Sequence, residues 1–240
     1  MAGANYYILA ALPALGEFGS DPPLSPAALL AMMDADPSPR ALVEAILLGD
    51  DLHQRQAFVA GETQDVVPAV LRIEQVRDAA PLPGFLIAES PESPPHAPTD
   101  AVWAAYYRHA AGVAAQGDSQ FLADWIAREV ALRNALVEAR ARALELESQP
   151  YLVAPELGDP HADFTAVLNQ WASAPTPLAG LQVLDRDRWE WLATHDAWFS
   201  FDDDELAAYA AKLMLLHRWH RLETAAAAPA DADLSERTAP

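Results

Sequence analysis

Residues 119–147 read SQFLADWIAREVALRNALVEARARALELE, and this stretch decides the fold class. At about 100° per residue its apolar side chains form one broad face, with an arc of roughly 200°, which indicates one long helix that must be covered on most sides. The side chains on that face are Phe121, Trp125, Ile126, Val130, Leu132, Leu136, Val137, Ala143 and Leu144. The sequence therefore predicts an all-α protein in which other helices pack around this one.

A polar seam runs down the middle of that apolar face. Glu129, Arg133, Asn134 and Arg140 fall within the apolar arc rather than opposite it. Glu129 precedes Arg133 by four residues, which is the favourable order for an acid and a base on one helix. A desolvated pair of this kind specifies the position of neighbouring helices more than it stabilises them. The alternative is that these long side chains reach water from the edge of a helical bundle.

In the rest of the chain, proline residues lie mostly between the predicted helical segments. The protein has 240 residues, of which 52% are apolar, and it contains 10 Gly and 20 Pro. This length is enough for one domain or two small ones. Residues 81–98 are rich in proline, and 91–98 have almost no apolar side chains to bury. This segment is therefore the best candidate for a domain boundary. We predict an N-terminal helical bundle over 1–88, a linker or loop over 89–99, a C-terminal helical bundle over 100–228 and a disordered tail over 229–240.

Periodicity and capping residues predict the individual helices. The segment 5–12 fits either a strand or a short helix, and 66–77 is a weak helical pattern. A helix over 42–60 either continues through Gly49 or restarts after it. The remaining predicted helices cover 26–34, 100–115, 119–147, 161–174, 178–194 and 202–221.

Charge and composition exclude several classes of partner. The net charge is −20 and Lys212 is the only lysine, which argues against binding to nucleic acid or anionic lipid. The chain has no cysteine, which removes disulfides, thiolate metal sites and cysteine nucleophiles. No basic residue precedes Arg40 and no apolar run reaches about 18 residues. We expect a cytoplasmic protein that meets a membrane only through partner subunits.

Enzyme signatures are missing from the sequence. The chain contains no phosphate loop, no dinucleotide fingerprint, no nucleophile elbow and no zinc-binding H-E-x-x-H. Asp50, Asp51 and His53 fit an acid and base group, but adjacent acids after Gly49 also suit the N-cap of a restarted helix. His217 and a second histidine three residues later have metal-ligand spacing without a clear third ligand. We predict no catalysis, cofactor or metal.

A cluster of tryptophans before the last helix is a candidate partner surface. Aromatic anchors dominate interface energetics, although a packed corner between two helices fits the pattern equally well. The acids that follow suit the positive end of a helix dipole and therefore also have a capping interpretation. The residues of this candidate interface are Trp189, Trp191, Trp198, Asp202, Asp203 and Asp204.

Several short segments resemble a known family. They are YYILAALP at 6–13, Arg128 with Glu129, RNAL at 133–136, LL at 47–48 followed by DLHQ at 51–54, and the last helix from 206 to 222. In this order they resemble an uncharacterised bacterial family that is encoded beside V-type ATPase genes. That family takes the place of the stalk subunit called C, or d in eukaryotes. The acid followed five residues later by Asn, here Glu129 and Asn134, is similar to the repeated element of this C-type stalk subunit.

The resemblance implies a function as well as a fold. It implies antiparallel helical bundles in a funnel-like arrangement and a non-catalytic central-stalk subunit of a V/A-type ATPase. Such a protein couples the rotating shaft subunits D and F to the membrane proteolipid ring during ion or proton transport. The chain departs from the C-type stalk subunit in having at most two copies of the repeated element, and Ala131 and Leu132 replace an acid common there. The alternative function is a freestanding helical adaptor or regulator without an ATPase.

Overall fold

The computed structural model describes residues 4–34, 36–87, 98–196 and 199–227, and every regular element within these ranges is helical. The α-helices are α1 Ala4–Ala11, α2 Pro26–Ala31, α3 Pro37–Val59, α4 Ile73–Val76, α5 Pro98–Gln116, α6 Gln120–Ala143, α7 Thr165–Ala172, α8 Pro177–Thr194 and α9 Asp203–Ala227. Short 3-10 helices lie at Gly84–Leu86, Gln149–Tyr151 and Pro155–Leu157. The predicted all-α class is confirmed, and the segment that fitted a strand or a helix is the helix α1.

The helix α3 lies at the centre and packs against α9 and α5. It begins at Pro37, where the Asp36 side chain accepts the N–H of Ser38 at 3.3 Å. It runs without a break through Gly49, so the predicted restart does not occur. A Cβ on Gly49 would lie 2.7 Å from the Tyr106 hydroxyl of α5, so the glycine permits the two helices to approach. Tyr106 donates across that contact to the carbonyl of Ala45 at 3.1 Å.

The two predicted bundles contribute to one hydrophobic core. The main buried cluster joins α2 and α3 to α5, α6 and α9, with Leu48, Trp125 and Leu213 among its members. A smaller cluster of Leu132, Phe164, Val167 and Leu184 joins α6 to α7 and α8. Most of the predicted linker 89–99 and all of the predicted tail 229–240 lie outside the described residues. The division into two bundles therefore stays a prediction.

The long helix α6 is covered along most, but not all, of its predicted face. Phe121, Trp125 and Leu132 are buried as the periodicity indicates, while Leu144 is 68% exposed. The helix ends at Ala143, four residues before the predicted end, and Glu145 just beyond it has the left-handed φ of 56°. The N–H of Leu146 donates to the carbonyl of Ala141 at 2.8 Å, closing the turn that ends many helices.

The predicted helix over 66–77 is mostly wrong. Only Ile73–Val76 is helical, and the preceding segment is a loop. The carboxylate of Asp51 accepts the backbone N–H groups of Ala69, Val70 and Leu71 at 2.7–2.8 Å. These donors are therefore satisfied by a side chain of α3, and the loop needs no helical hydrogen bonds of its own.

Candidate functional site

Charged side chains are buried where α6, α8 and α9 meet. Arg188 of α8 donates through Nε to Oε1 of Glu129 at 2.8 Å and through Nη2 to Oε2 at 3.0 Å. Its Nη1 donates to Oδ1 of Asp185 at 3.0 Å, and Oδ2 of Asp185 lies 3.3 Å from Nε of Arg218 in α9. Glu129, Arg188, Asp185 and Arg218 thus form an alternating series of acid and base, which we call the buried charge chain.

The buried charge chain is shielded from water. Asp185 is fully buried, and the side chains of Arg188 and Glu129 are 9% and 13% exposed. Desolvation by itself lowers the pKa of Arg188, but attraction to Glu129 and Asp185 outweighs it and raises the pKa above that of a free guanidinium. Each charge is therefore compensated only while its partners are present.

A small cavity adjoins the buried charge chain. Its volume is about 20 Å³, and His53, Tyr107 and Trp103 line it together with Glu129 and Arg188. Burial, reinforced by nearby arginines, lowers the pKa of His53 well below its ordinary value, so the imidazole is neutral at pH 7. This volume holds about one water molecule, so the cavity is too small for a substrate. Its lining residues belong to α3, α5, α6, α8 and α9, so the cavity lies where these helices pack together.

The other members of the predicted polar seam attach α6 to different elements. Arg133 pairs with Asp100 at 3.1 Å, and its guanidinium lies 4.9 Å from the ring centre of Trp103 in α5. Asn134 accepts the N–H of Val153 at 2.9 Å and donates to its carbonyl at 3.0 Å. The expected pairing of Glu129 with Arg133 is wrong, because each has a closer partner on another helix.

Arg140, the last member of the seam, lies at the edge of the fold. It is exposed, and its guanidinium lies 5.2 Å from the ring centre of Trp171 in α7. The alternative in which a seam residue reaches water therefore describes Arg140, but not Glu129 or Asn134.

The acids of the candidate interface make contacts within the chain. Asp204 accepts the hydroxyl of Ser119 and, at 3.1 Å, the N–H of Phe121, so it caps the N-terminus of α6. The Asp203 carboxylate accepts hydrogen bonds from Nδ2 of Asn5 at 2.5 Å and from the Ser38 hydroxyl at 2.8 Å. Asp202 accepts the N–H at position 205 at 3.2 Å and caps α9 itself. Asp203 and Asp204 thus connect α9 to α1, α3 and α6, while the capping interpretation describes Asp202 on α9 and Asp204 on α6.

The tryptophans of the candidate interface are half-buried. The ring of Trp189 lies 5.5 Å from that of Phe18, and Trp191 stacks on His195 at 4.1 Å. Trp191 also lies 5.7 Å from Trp125 of α6. Trp198 lies outside the described residues. These contacts fit a packed corner, and a partner surface at the tryptophans stays a prediction.

An open cleft lies beside Trp191. Its volume is about 420 Å³, in the range of small-molecule sites. Two of its polar lining groups have partners in the chain: Arg128 pairs through Nη2 with Asp187 at 2.7 Å, and Asp124 accepts a hydrogen bond from the side-chain amide of Gln120 at 2.8 Å. Nε of Arg128 is buried without a hydrogen-bond partner.

The residues of the enzyme alternative are engaged with different partners in the chain. Asp50 pairs with Arg221 of α9 at 2.6 Å, while Asp51 binds the loop at 69–71. Nε2 of His217 contacts the carbonyl oxygen of Leu24 at 2.8 Å. The N-cap interpretation of Asp50 and Asp51 is also wrong, since both lie in the middle of α3. No group of three His, Cys, Asp or Glu side chains in the described ranges is placed to hold a metal.

Comparison of the chain with models of protein families, with curated proteins and with solved structures finds no match. Among the helices in the described part of the chain, none combines the length and apolar character needed to cross a bilayer. The function must therefore be argued from the residues and their contacts.

Sequence reasoning missed a surface formed by aromatic residues from both ends of the chain. Tyr6 and Tyr7 of α1 are 53% and 78% exposed, and Phe199 is 69% exposed. The ring of Phe201 lies 5.4 Å from that of Tyr6 and 6.2 Å from that of Phe199. We call these four residues the aromatic platform. No spacing rule joins positions 6 and 201, although the paired tyrosines and the F-S-F sequence at 199–201 were visible signals.

Proposed function

We propose that this protein is a non-catalytic central-stalk subunit of a bacterial V/A-type ATPase, which couples the rotating shaft to the membrane proteolipid ring. The observation that carries the proposal is the resemblance of α6 to the repeated element of the C-type stalk subunit. The two residues that carry this resemblance, Glu129 and Asn134, are buried polar groups that attach α6 to α8 and to the segment at Val153. The resemblance therefore falls on positions that matter for packing in this chain.

The contacts between helices support a mechanical role. A protein that transmits torque must resist sliding and rotation of its helices against each other. Close-packed apolar side chains give stiffness, and directional ion pairs fix register. Here the buried charge chain joins α6, α8 and α9, and the pair of Asp50 with Arg221 joins α3 to α9. The proposal includes two related antiparallel helical bundles in a funnel-like adaptor.

The charge of the protein supports a protein partner rather than a membrane surface. A net charge of −20 repels anionic lipid and attracts a basic protein surface. In the proposed complex the shaft subunits D and F would be steered by this charge, and the proteolipid ring would be met through apolar contacts. Electrostatic complementarity of this kind contributes to association rate and register more than to affinity.

Affinity purification tests the proposal. The protein is tagged at its C-terminus and purified from its native cells in mild detergent, with mass spectrometry of the retained proteins. We expect V-type catalytic, shaft and proteolipid subunits, in amounts that exceed those from an untagged strain. Recovery of the protein alone, from cells shown to assemble the ATPase, would contradict the proposal and favour the freestanding adaptor.

A further inference from the structure

The aromatic platform is a continuous surface built from two distant segments. Ring centres follow one another from Tyr7 to Tyr6 at 5.8 Å, to Phe201 at 5.4 Å and to Phe199 at 6.2 Å. Exposed aromatic groups that contact one another are unusual on a surface with no partner, because they leave large apolar areas in water. Tyrosine and other aromatic residues are also enriched at the centres of protein interfaces.

The loop that carries the two phenylalanines is held in a costly conformation. Phe199 and Phe201 have φ of 64° and 57°, a region that bulky side chains rarely adopt. The carboxylate of Glu205 accepts the N–H groups of Phe199 at 3.2 Å and Phe201 at 2.8 Å, and so holds the loop in place. Strain of this kind persists where the surrounding structure enforces it, commonly at functional positions.

Acidic residues border the aromatic platform. Asp202, Asp203, Asp204 and Glu205 follow Phe201 directly, and Asp203 binds Asn5 next to Tyr6. Within the described residues, none of these four carboxylates forms an ion pair with Lys or Arg. All four acids accept hydrogen bonds within the chain, but these donors are neutral, so the border of the apolar centre keeps a net negative charge.

We propose that the aromatic platform docks a segment of a partner protein that carries Lys or Arg beside apolar side chains. The apolar side chains of that segment contact Tyr6, Tyr7, Phe199 and Phe201, and its cations face the acidic border. A second copy of this chain fits poorly, because a symmetric contact would bring the same acids of both copies together. An anionic membrane surface is repelled for the same reason.

This inference goes beyond the proposed function. It specifies the chemistry of the docked segment, and it holds whether or not the partner belongs to a rotary ATPase. The two proposals consequently fail on different results.

Site-specific photo-crosslinking in the native cells tests the inference on the full chain. The photoreactive amino acid p-benzoyl-phenylalanine replaces Tyr7 in one strain and Phe199 in another. Val67 and Leu144, which are 73% and 68% exposed and lie in other segments, are replaced in matched control strains. We expect adducts from both platform positions to one segment with more Lys and Arg than Asp and Glu, and no such adduct from the controls.

Other results would overturn the inference: no adduct above the control strains, adducts to a second copy, adducts to an acidic segment, or adducts to lipid. A basic segment in a protein outside the ATPase would support docking and leave the stalk proposal without support.

A paired substitution provides a second readout. Tyr7→Ala with Phe199→Ala should lower recovery of the crosslinked partner about tenfold or more, since aromatic anchors carry much of the energy of an interface. Val67→Ala with Leu144→Ala should leave recovery unchanged. Circular dichroism identifies variants that remain folded, and unchanged recovery with a folded platform variant would overturn the inference.

Discussion

Glu129 and Arg188 are 59 residues apart in the chain, and two donors of one guanidinium face two oxygens of one carboxylate at 2.8 and 3.0 Å. This bidentate geometry fixes the rotation of α6 against α8 as well as their distance, because both hydrogen bonds must align at once. A hydrophobic contact at the same place would tolerate sliding. The pair therefore specifies how the two helices meet.

The first prediction concerns this pair. Glu129→Ala should lower the free energy of unfolding by about 3–5 kcal/mol, because it leaves the Arg188 guanidinium buried without its main partner. Urea denaturation followed by circular dichroism measures the loss. An unchanged midpoint would contradict the burial of the pair.

A double-mutant cycle separates the pair from its surroundings. Glu129→Leu combined with Arg188→Met replaces both charges by apolar groups of similar size, and we expect a smaller loss than the sum of the single variants. Additive losses would show that the two side chains act independently.

The second prediction concerns Asn134, whose side chain binds both backbone groups of Val153. Asn134→Ala should cost about 2 kcal/mol or more, because a buried N–H and a buried carbonyl lose their partner. Asn134→Asp keeps the acceptor but turns a second oxygen towards the Val153 carbonyl, so it should also destabilise. Glu138→Ala, at an exposed position of the same helix, should change stability by no more than about 0.5 kcal/mol in the same denaturation experiment.

Local signals predicted the helices and several of their ends. Periodicity identified α6, and Ser25 caps α2 as the Ser-Pro sequence indicates. The same signals failed at 66–77, where Asp51 of α3 supplies the hydrogen bonds that a helix would otherwise need. A side chain from a distant helix overrode local propensity there, and a pattern confined to a short window does not contain that information.

The candidate site was predicted only in part, for a related physical reason. The polar seam was visible because Glu129 and Asn134 interrupt an apolar face. Their partners were not visible, since Arg188 and Val153 lie in other segments and pairing depends on how the helices pack. The aromatic platform was missed for the same reason, because Tyr6 and Phe201 become neighbours only when α1 contacts the start of α9.

The third prediction concerns the pH dependence of stability. Burial raises the pKa of Asp51 from 3.8 to about 6, against the three backbone N–H donors that lower it. Between these values the folded state binds the proton more tightly than the unfolded state, so the contribution of Asp51 to stability falls as pH rises. The total change across this window is about 3 kcal/mol, at about 1.4 kcal/mol per pKa unit.

Urea denaturation of the wild type and Asp51→Asn at pH 4 and pH 7 measures this contribution. The stability advantage of the wild type over the variant should be smaller at pH 7 than at pH 4. An advantage that grows with pH would mean that the backbone donors outweigh burial. Gln64→Ala, at an exposed position without a titratable group, is the control and should show no such change between the two pH values.

The fourth prediction concerns the end of α6, where Glu145 has φ of 56°. The left-handed conformation at this position after a helix is the one that glycine adopts without steric cost. Glu145→Gly should therefore raise the free energy of unfolding by up to about 1 kcal/mol and the melting temperature by about 2–4 °C. Glu147→Gly is the matched control, because Glu147 lies two residues further on and its φ is not positive. Glycine at position 147 only increases the conformational entropy of the unfolded chain, so Glu147→Gly should lower the melting temperature slightly. Equal effects of the two variants would contradict the relief of strain at Glu145.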